Sequence, residues 1–235
     1  MLETLIRGSH WASTLTVAEL DHVLREAFER RIPAGGYALR CGDPAELWIG
    51  VIDGLLKLSL SQPDGLFSTF TGVAAGGWAG EGSLLRPGRW RYDAVAMRDS
   101  RIACVPRSTF ERLVATNPAF NRFLLLHLNA RLSLFIGLAE YDRLLGPEAR
   151  VARCVASLFD PDLYPAAGPT LPLTEAEIAL LAAVPLPRAR EALRGFERAG
   201  LLLVEAAGVT VFDLRRLRAY RGPGTDAPNG HSRVG

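Results

Sequence analysis

The feature that most constrains this chain begins at Asn117-Pro118 and runs to about Leu145. Apolar residues there, among them Phe120, Leu124, Leu125, Leu128, Leu132, Phe135 and Ile136, are spread around most of the circumference of a helix. At 1.5 Å per residue such a helix is roughly 42 Å long. A helix that is apolar on several faces needs more than one partner. The economical arrangement packs one face on the rest of the chain and offers another to the same helix of a second copy, which predicts a homodimer joined along residues 117–146. A central helix buried inside a monomer is the alternative reading.

The segments on either side differ in texture. After a helix signal around Val17 to Glu29, the stretch from Ile32 to Val105 carries short alternations such as Leu47, Ile49, Val51 and Leu56, Leu58, Leu60. Turn signals at Gly35-Gly36, Gly42-Asp43-Pro44, Asp53-Gly54, Pro63-Asp64-Gly65 and Pro87-Gly88 punctuate it, the spacing of an antiparallel barrel or roll. Residues 1–116 are therefore expected to form a β-roll with helices at its ends. Gly146-Pro147 breaks the long helix and marks a boundary.

Beyond it, helices are expected over Glu148 to Phe159, Thr174 to Ala183 and Pro187 to Ala199. Thr174 with Glu177 forms a capping-box pattern, and Gly200 is placed to end the third helix. Leu201 to Val204 and Val209 to Phe212, around Ala206-Ala207-Gly208, read as a β-hairpin. The fold class is thus α+β: an N-terminal antiparallel β-roll, a long dimerisation helix, and a C-terminal winged helix-turn-helix over 147–221. Residues 222–235, rich in Gly, Pro and polar side chains, read as a disordered tail.

In a winged helix-turn-helix the second helix enters the major groove while the first crosses the backbone. The DNA-contacting set is accordingly Thr174 at the start of the first helix, and Arg188, Arg190, Glu191 and Arg194 on the second. Arginine forks onto guanine or neutralises phosphate, so these residues suit base readout or positioning. The same helix also fits a solvated face laced by i,i+3 pairs.

Composition narrows the class. The chain is 49% hydrophobic and 22% charged with a formal charge of +2, so any basic surface is local. All the cationic side chains but Lys57 are arginine. Cys41, Cys104 and Cys154 lie far apart with no C-x-x-C pair, so no zinc or iron–sulfur motif is present. Without a leader-like stretch or a membrane-length apolar run, a cytoplasmic protein is expected. No nucleophile elbow, H-E-x-x-H or P-loop is found, and no enzyme is predicted.

The order of these parts, together with "GDPAE", "GEGSL" and "ERAGLL", resembles the cyclic-AMP receptor and Fnr (Crp/Fnr) family of bacterial transcription regulators from about Ile32 to Phe212. The resemblance implies a homodimer, a sensory roll and a two-fold operator on double-stranded DNA, with RNA polymerase a possible further partner. In members that bind cyclic nucleotide, a cassette around a Gly-Glu pair and a following Arg cradles phosphate and ribose. Gly80, Glu81 and Arg91 match it. Tyr92 and Asp93 depart from it, since a ring stands where a small hydroxyl residue is usual and a carboxylate faces the place of an anion. The alternative is a Glu81–Arg91 ion pair that braces the loop.

Phe135 and Ile136 occupy the place that presents hydroxyls to the purine, where Phe135 can only stack. The effector-contacting set is therefore Gly80, Glu81, Arg91, Tyr92 and Phe135, and the effector implied is something other than cyclic AMP. Residues 1–40 contain no cysteine for an Fnr-type cluster. His10, His22, His127, Cys41 and Cys104 are formally available to haem, with His127 reading as a core or interface histidine. Pro185-Leu186-Pro187-Arg188 replaces the usual Ser-Arg-Glu-Thr start of the recognition helix, so the family's best-known half-site is not implied. The remaining functional alternatives are a cyclic-nucleotide-responsive regulator using Glu81 and Arg91, and a protein–protein interaction module that has lost operator binding.

Overall fold

The computed structural model describes residues 1–61, 67–144, 146–161, 163–164 and 168–222. It opens with α1 (Leu2–Gly8), a 3-10 turn over His10–Thr14 and α2 (Val17–Glu26). Then come β1 (Phe28–Ile32), β2 (Tyr37–Leu39), β3 (Leu47–Asp53), β4 (Leu55–Ser61), β5 (Phe67–Ala74), β6 (Trp78–Ala79), α3 (Glu81–Leu84), β7 (Asp93–Ala96) and β8 (Ser100–Pro106). The strands make two antiparallel four-stranded sheets, ordered β1-β8-β3-β6 and β2-β7-β4-β5. Helix α4 (Arg107–Thr116) leads into α5 (Pro118–Leu144).

The expected helix to Glu29 ends earlier. Phe28 to Ile32 instead pair with Ser100 to Cys104, and Arg101 grips Glu29 bidentately at 2.6 and 2.9 Å. Cross-strand pairing outweighs helical periodicity in so short a segment. The turn at Pro63-Asp64-Gly65, Leu145 at the expected end of the long helix, and residues 223–235 of the expected tail lie outside the described residues.

Three tryptophans pack where the roll meets the helices. Trp11 of the 3-10 turn, Trp48 of β3 and Trp78 of β6 have ring centroids 4.5 to 5.0 Å apart, and Phe110 of α4 and Phe120 of α5 close the group edge-on. Tilted and edge-to-face aromatics of this kind add about 0.5–1.5 kcal/mol per pair beyond area burial. The start of α5 is fixed by Asn117: its Oδ1 accepts from the Phe120 N–H, and its Nδ2 donates to Thr14 O and Glu19 Oε2. Pro118 follows at the position where a missing N–H costs nothing.

Over the side chains described, residues 118–137, helix α5 buries one face. Phe120, Leu124, His127 and Arg131 are buried, while Leu125, Leu126, Leu132 and Ile136 are exposed at 70%, 61%, 55% and 61%. The reading of a central helix sheathed within one chain is therefore corrected: a single copy leaves a row of leucines in water.

The C-terminal segment contains α6 (Pro147–Ser157), β9 (Thr170–Leu171), α7 (Glu175–Leu181), α8 (Leu186–Arg198), β10 (Leu202–Glu205), β11 (Gly208–Val211) and α9 (Leu214–Ala219). The expected helix boundaries shift by one or two residues, as ends governed by caps usually do. The Thr174/Glu177 capping box is present, and Gly200 takes φ +67 just past α8. The hairpin β10–β11 gains a third strand, β9.

This segment rests on the roll through Tyr164, whose hydroxyl donates to the Gly72 carbonyl of β5 at 2.7 Å. A Cβ on Gly77 would stand 2.6 Å from the Tyr164 ring, and one on Gly72 would meet Leu181 and Leu158 at 3.0 and 3.1 Å. Glycine at 77 leaves room for the tyrosine ring, and glycine at 72 spares Leu181 and Leu158 a shift of a few tenths of an ångström.

Candidate ligand and nucleic-acid sites

The candidate ligand site is built on the turn from β6 to α3. Gly80 there has φ +107 and lies so close to Trp90 and the Leu47 carbonyl that a Cβ would fall within 3.1–3.2 Å of both. That conformation suits glycine and turns the next residue, Glu81, inward. Glu81 is 2% exposed. Its Oε1 lies 3.0 Å from Arg131 Nε and 3.7 Å from His127 Nε2, both on α5. Arg131 also donates from Nη2 to the Trp78 carbonyl at 2.6 Å, and His127 stacks on Phe123.

Burial alone would lower the Arg131 pKa. The Glu81 carboxylate, with Tyr164 and Tyr92 adding to it, outweighs that and holds the guanidinium above its ordinary value. The pair is a dehydrated one in which each charge depends on the other. Glu81 Oε2 and Arg131 Nη1 are buried with no hydrogen-bond partner among the described residues.

The expected Glu81–Arg91 brace is corrected by this geometry. Arg91 is exposed, and Glu81 pairs with an arginine fifty positions along the chain, which the roll brings under α5. Tyr92 takes the inward place beside the pair. Burial raises its hydroxyl pKa, Glu81 raises it further, and Arg131 and the Gly80 backbone oppose the shift. Asp93 is buried and does not confront an anion site: its Oδ1 accepts the Cys41 backbone N–H at 2.7 Å and ties β7 to the end of β2. Phe135 meets the Phe70 ring edge-on. Of the predicted effector set, Glu81, Tyr92 and Phe135 line one cavity, Gly80 supplies the turn that precedes Glu81 without lining it, and Arg91 stands apart.

Arg131 was missed in the sequence. The available signal was an arginine in an apolar helical run, four residues after His127 and so on the same face. A buried charge of that kind must find a partner, although sequence alone does not say which.

The second site is the surface of α7, the turn and α8. Thr174 caps α7. Arg188 pairs with Glu191 at 3.1 Å on the exposed face of α8, Arg190 reaches back to Glu175 of α7 at 2.8 Å, and Arg194 is exposed. The structure thus brings the predicted residues onto neighbouring elements, with the i,i+3 pair also expected from the sequence. Ala183, in the intervening turn, has φ +51, a conformation uncommon for a residue with a Cβ. Arg150 of α6 steadies it by donating to the Ala182 and Ala183 carbonyls at 3.0 and 2.7 Å. Among the described residues no helix is long and apolar enough to cross a membrane.

Residues 29–117 match the cyclic nucleotide-binding domain. No curated protein matches the chain. Among solved structures, FixK2 from Bradyrhizobium japonicum is 21% identical and superposes with a TM-score of 0.65, covering 82% of this chain and 96% of its own. CLP from Xanthomonas campestris, described as a c-di-GMP-responsive global regulator, is 21% identical with a TM-score of 0.56, over 84% of this chain and 99% of its own. A candidate transcriptional regulator of the Crp/Fnr family from Eubacterium rectale is 16% identical with a TM-score of 0.57, over 88% and 95%. At such identities the likeness is one of fold, and it spans both the roll and the C-terminal helices. Residues 29–117 thus resemble a cyclic nucleotide-binding domain, and the chain as a whole shares the fold of these solved structures.

Proposed function

We propose that the protein is a homodimeric, DNA-binding transcription regulator of the Crp/Fnr type, working in the cytoplasm, whose effector is not cyclic AMP. Residues 1–116 are its sensory part, 117–146 its dimer helix and 147–221 a winged helix-turn-helix with β10–β11 as the wing. The observation that carries the reading is the presence on one chain of two outward-facing surfaces: the exposed leucine row on α5 and the arginine face of α8, whose ion pairs are open to water. Leu125, Leu132 and Ile136 follow a seven-then-four spacing suited to a helix–helix seam. A two-fold pair would set the two copies of α8 against half-sites one helical turn, roughly 34 Å, apart. Within that frame Thr174 contacts backbone phosphate, Arg188 and Arg190 read bases, Glu191 orients Arg188, and Arg194 neutralises phosphate. RNA polymerase is a further partner in this reading, whether the protein activates or represses, and no catalytic role falls to Glu81 or Asp93.

Cyclic AMP is disfavoured because Arg91 lies outside the cavity and Glu81 is engaged by Arg131. The match of residues 29–117 to the cyclic nucleotide-binding domain keeps a nucleotide-responsive regulator as the second reading. Calorimetry with cyclic AMP and cyclic GMP separates the two: no heat at millimolar ligand is expected, and saturable heat that vanishes in Arg91→Ala would reverse the order. Selection of bound fragments from genomic DNA tests the main reading. Enriched palindromic sites, with affinity falling steeply as salt rises, are expected. Salt-independent or absent binding would favour an interaction module instead.

A further inference from the structure

A cavity of about 870 Å³ lies between the roll, α5 and the C-terminal segment, within the size range of small-molecule sites. Leu58 and Phe70 from the sheet and Leu128 and Phe135 from α5 give it an apolar wall, and residues 179–184, from α7 into the turn before α8, also line it. Glu81 and Arg131 line the same space. Their ion pair runs between Oε1 and Nε at 3.0 Å, and Arg131 Nη2 donates to the Trp78 carbonyl. Oε2 and Nη1 are left over: one acceptor and one donor, both buried and without a hydrogen-bond partner among the described residues. Buried polar groups are nearly always hydrogen-bonded, so two such atoms on residues of one cavity mark a place where something else completes the pairing. Arg150 and Arg153, which line the cavity as well, have partners of their own.

We infer that this cavity takes a neutral amphipathic amide, a ligand with an apolar body and one amide head. The N–H of the head donates to Glu81 Oε2, its carbonyl accepts from Arg131 Nη1, and the body lies against Phe70 and Phe135. Glu81 and Arg131 together carry no net charge, so a carboxylate head loses to the first what it gains from the second, and an ammonium head does the reverse. Either ion would also give up its hydration for an apolar wall. An amide gives one hydrogen bond and accepts another without that cost. The consequence rests on the reading of the protein as a DNA-binding regulator: a ligand here touches residues 179–184 and so reaches the turn into α8. Occupancy and DNA affinity are thereby coupled, and the coupling is reciprocal.

The test titrates octanamide, N,N-dimethyloctanamide, octanoate and octylammonium calorimetrically into the full-length protein, below their aggregation concentrations. The dimethyl analogue keeps the carbonyl and lacks the N–H. Octanamide is expected to bind at least about tenfold more tightly than each of the other three. In the double variant Glu81→Leu with Arg131→Met, octanamide should fall to the level of the dimethyl analogue while both still bind. Leu128→Trp, which fills part of the apolar wall, should weaken both amides at least about tenfold. Equal affinity for the two amides in the wild type, the result if ordered water alone satisfies Oε2 and Nη1, overturns the site. So does tighter binding of octanoate, a preference for octanamide that persists in the double variant, or octanamide binding untouched by Leu128→Trp.

A second arm reads the coupling: octanamide should shift affinity for a selected DNA fragment at least about threefold in the wild type and not in Leu128→Trp. If octanamide binds but leaves DNA affinity unmoved, the link to α8 is wrong. If the protein binds no DNA at all, the proposed function fails while calorimetry still judges the ligand site.

Discussion

Arg131 and the arginines of α8 have the same chemistry and opposite surroundings. Arg131 is 8% exposed and faces a carboxylate that is 2% exposed. The side chains of Arg188 and Arg190 are 63% and 48% exposed, and their acidic partners are also open to water. Taking both members of an ion pair out of water is costly, so removing one of them leaves a charge that nothing compensates. An exposed pair is worth about 0–1 kcal/mol and exchanges partners readily. The lesson is that the internal arginine is committed to holding α5 on the roll, while the external ones are available to a phosphate or a base.

The sharpest way to break this comparison is Arg131→Met, which strands Glu81. A loss of about 3–5 kcal/mol in denaturant unfolding is expected, and Glu81→Leu combined with Arg131→Met should recover most of it. A single variant that unfolds at the wild-type midpoint would show that the pair is not committed. Next comes Leu125→Asp on the outward face of α5. Sedimentation should find a folded monomer with weakened DNA binding, because this position makes no demand on the fold of one chain.

On α8, Arg188→Ala should cost about 1–3 kcal/mol of DNA affinity and relax preference at one base pair. Arg194→Ala should weaken all sequences alike and lower the salt slope by about one. Neither should change the free energy of unfolding by more than about 0.5 kcal/mol. If Arg188→Ala left the ranking of operator variants unchanged, its assignment to base readout would be wrong.

The smallest effect separates inside from outside by thiol chemistry. Burial pushes the Cys104 thiol up to about 11 and Cys154 up to about 12, from 9.0 in an unshielded thiol. Both keep their protons when folded and release them more easily when unfolded. Their contribution to stability is therefore complete below about pH 9 and is lost progressively as the pH rises toward 11 and 12. At pH 8, a thiol reagent should modify exposed Cys41 and reach the other two only after denaturation.

Much of the architecture was legible because it is written locally. Asn117-Pro118, Gly146-Pro147, the Thr174/Glu177 box and Gly200 are caps and breaks whose chemistry is complete within a few residues. The Leu47-Ile49-Val51 alternation likewise identifies a strand without reference to its neighbours. What escaped is what depends on contacts between distant parts. Nothing near Glu81 indicates Arg131, and Arg91 is the closer candidate on paper. The strand from Phe28 carries Glu29, Arg30 and Arg31, and its identity comes from pairing with β8. Thr170–Leu171 is too short to read as a strand until the hairpin lies beside it. In the candidate site, the types Gly80-Glu81 were readable, whereas the inward turn of Tyr92 and the alternative task of Asp93 required the folded neighbours.

The seat of Tyr164 on the roll has a bearing on the history the chain can have had. A Cβ at 77 and the Tyr164 ring would claim the same space, so the two positions are not free to drift independently. An alanine at 77 is tolerable only in a background where 164 has first become small, and restoring an aromatic ring at 164 is open only while 77 remains glycine. The order of substitution is thus fixed in one direction at a joint between two parts of the molecule, and descendants that take the other order lose the joint before they can rebuild it.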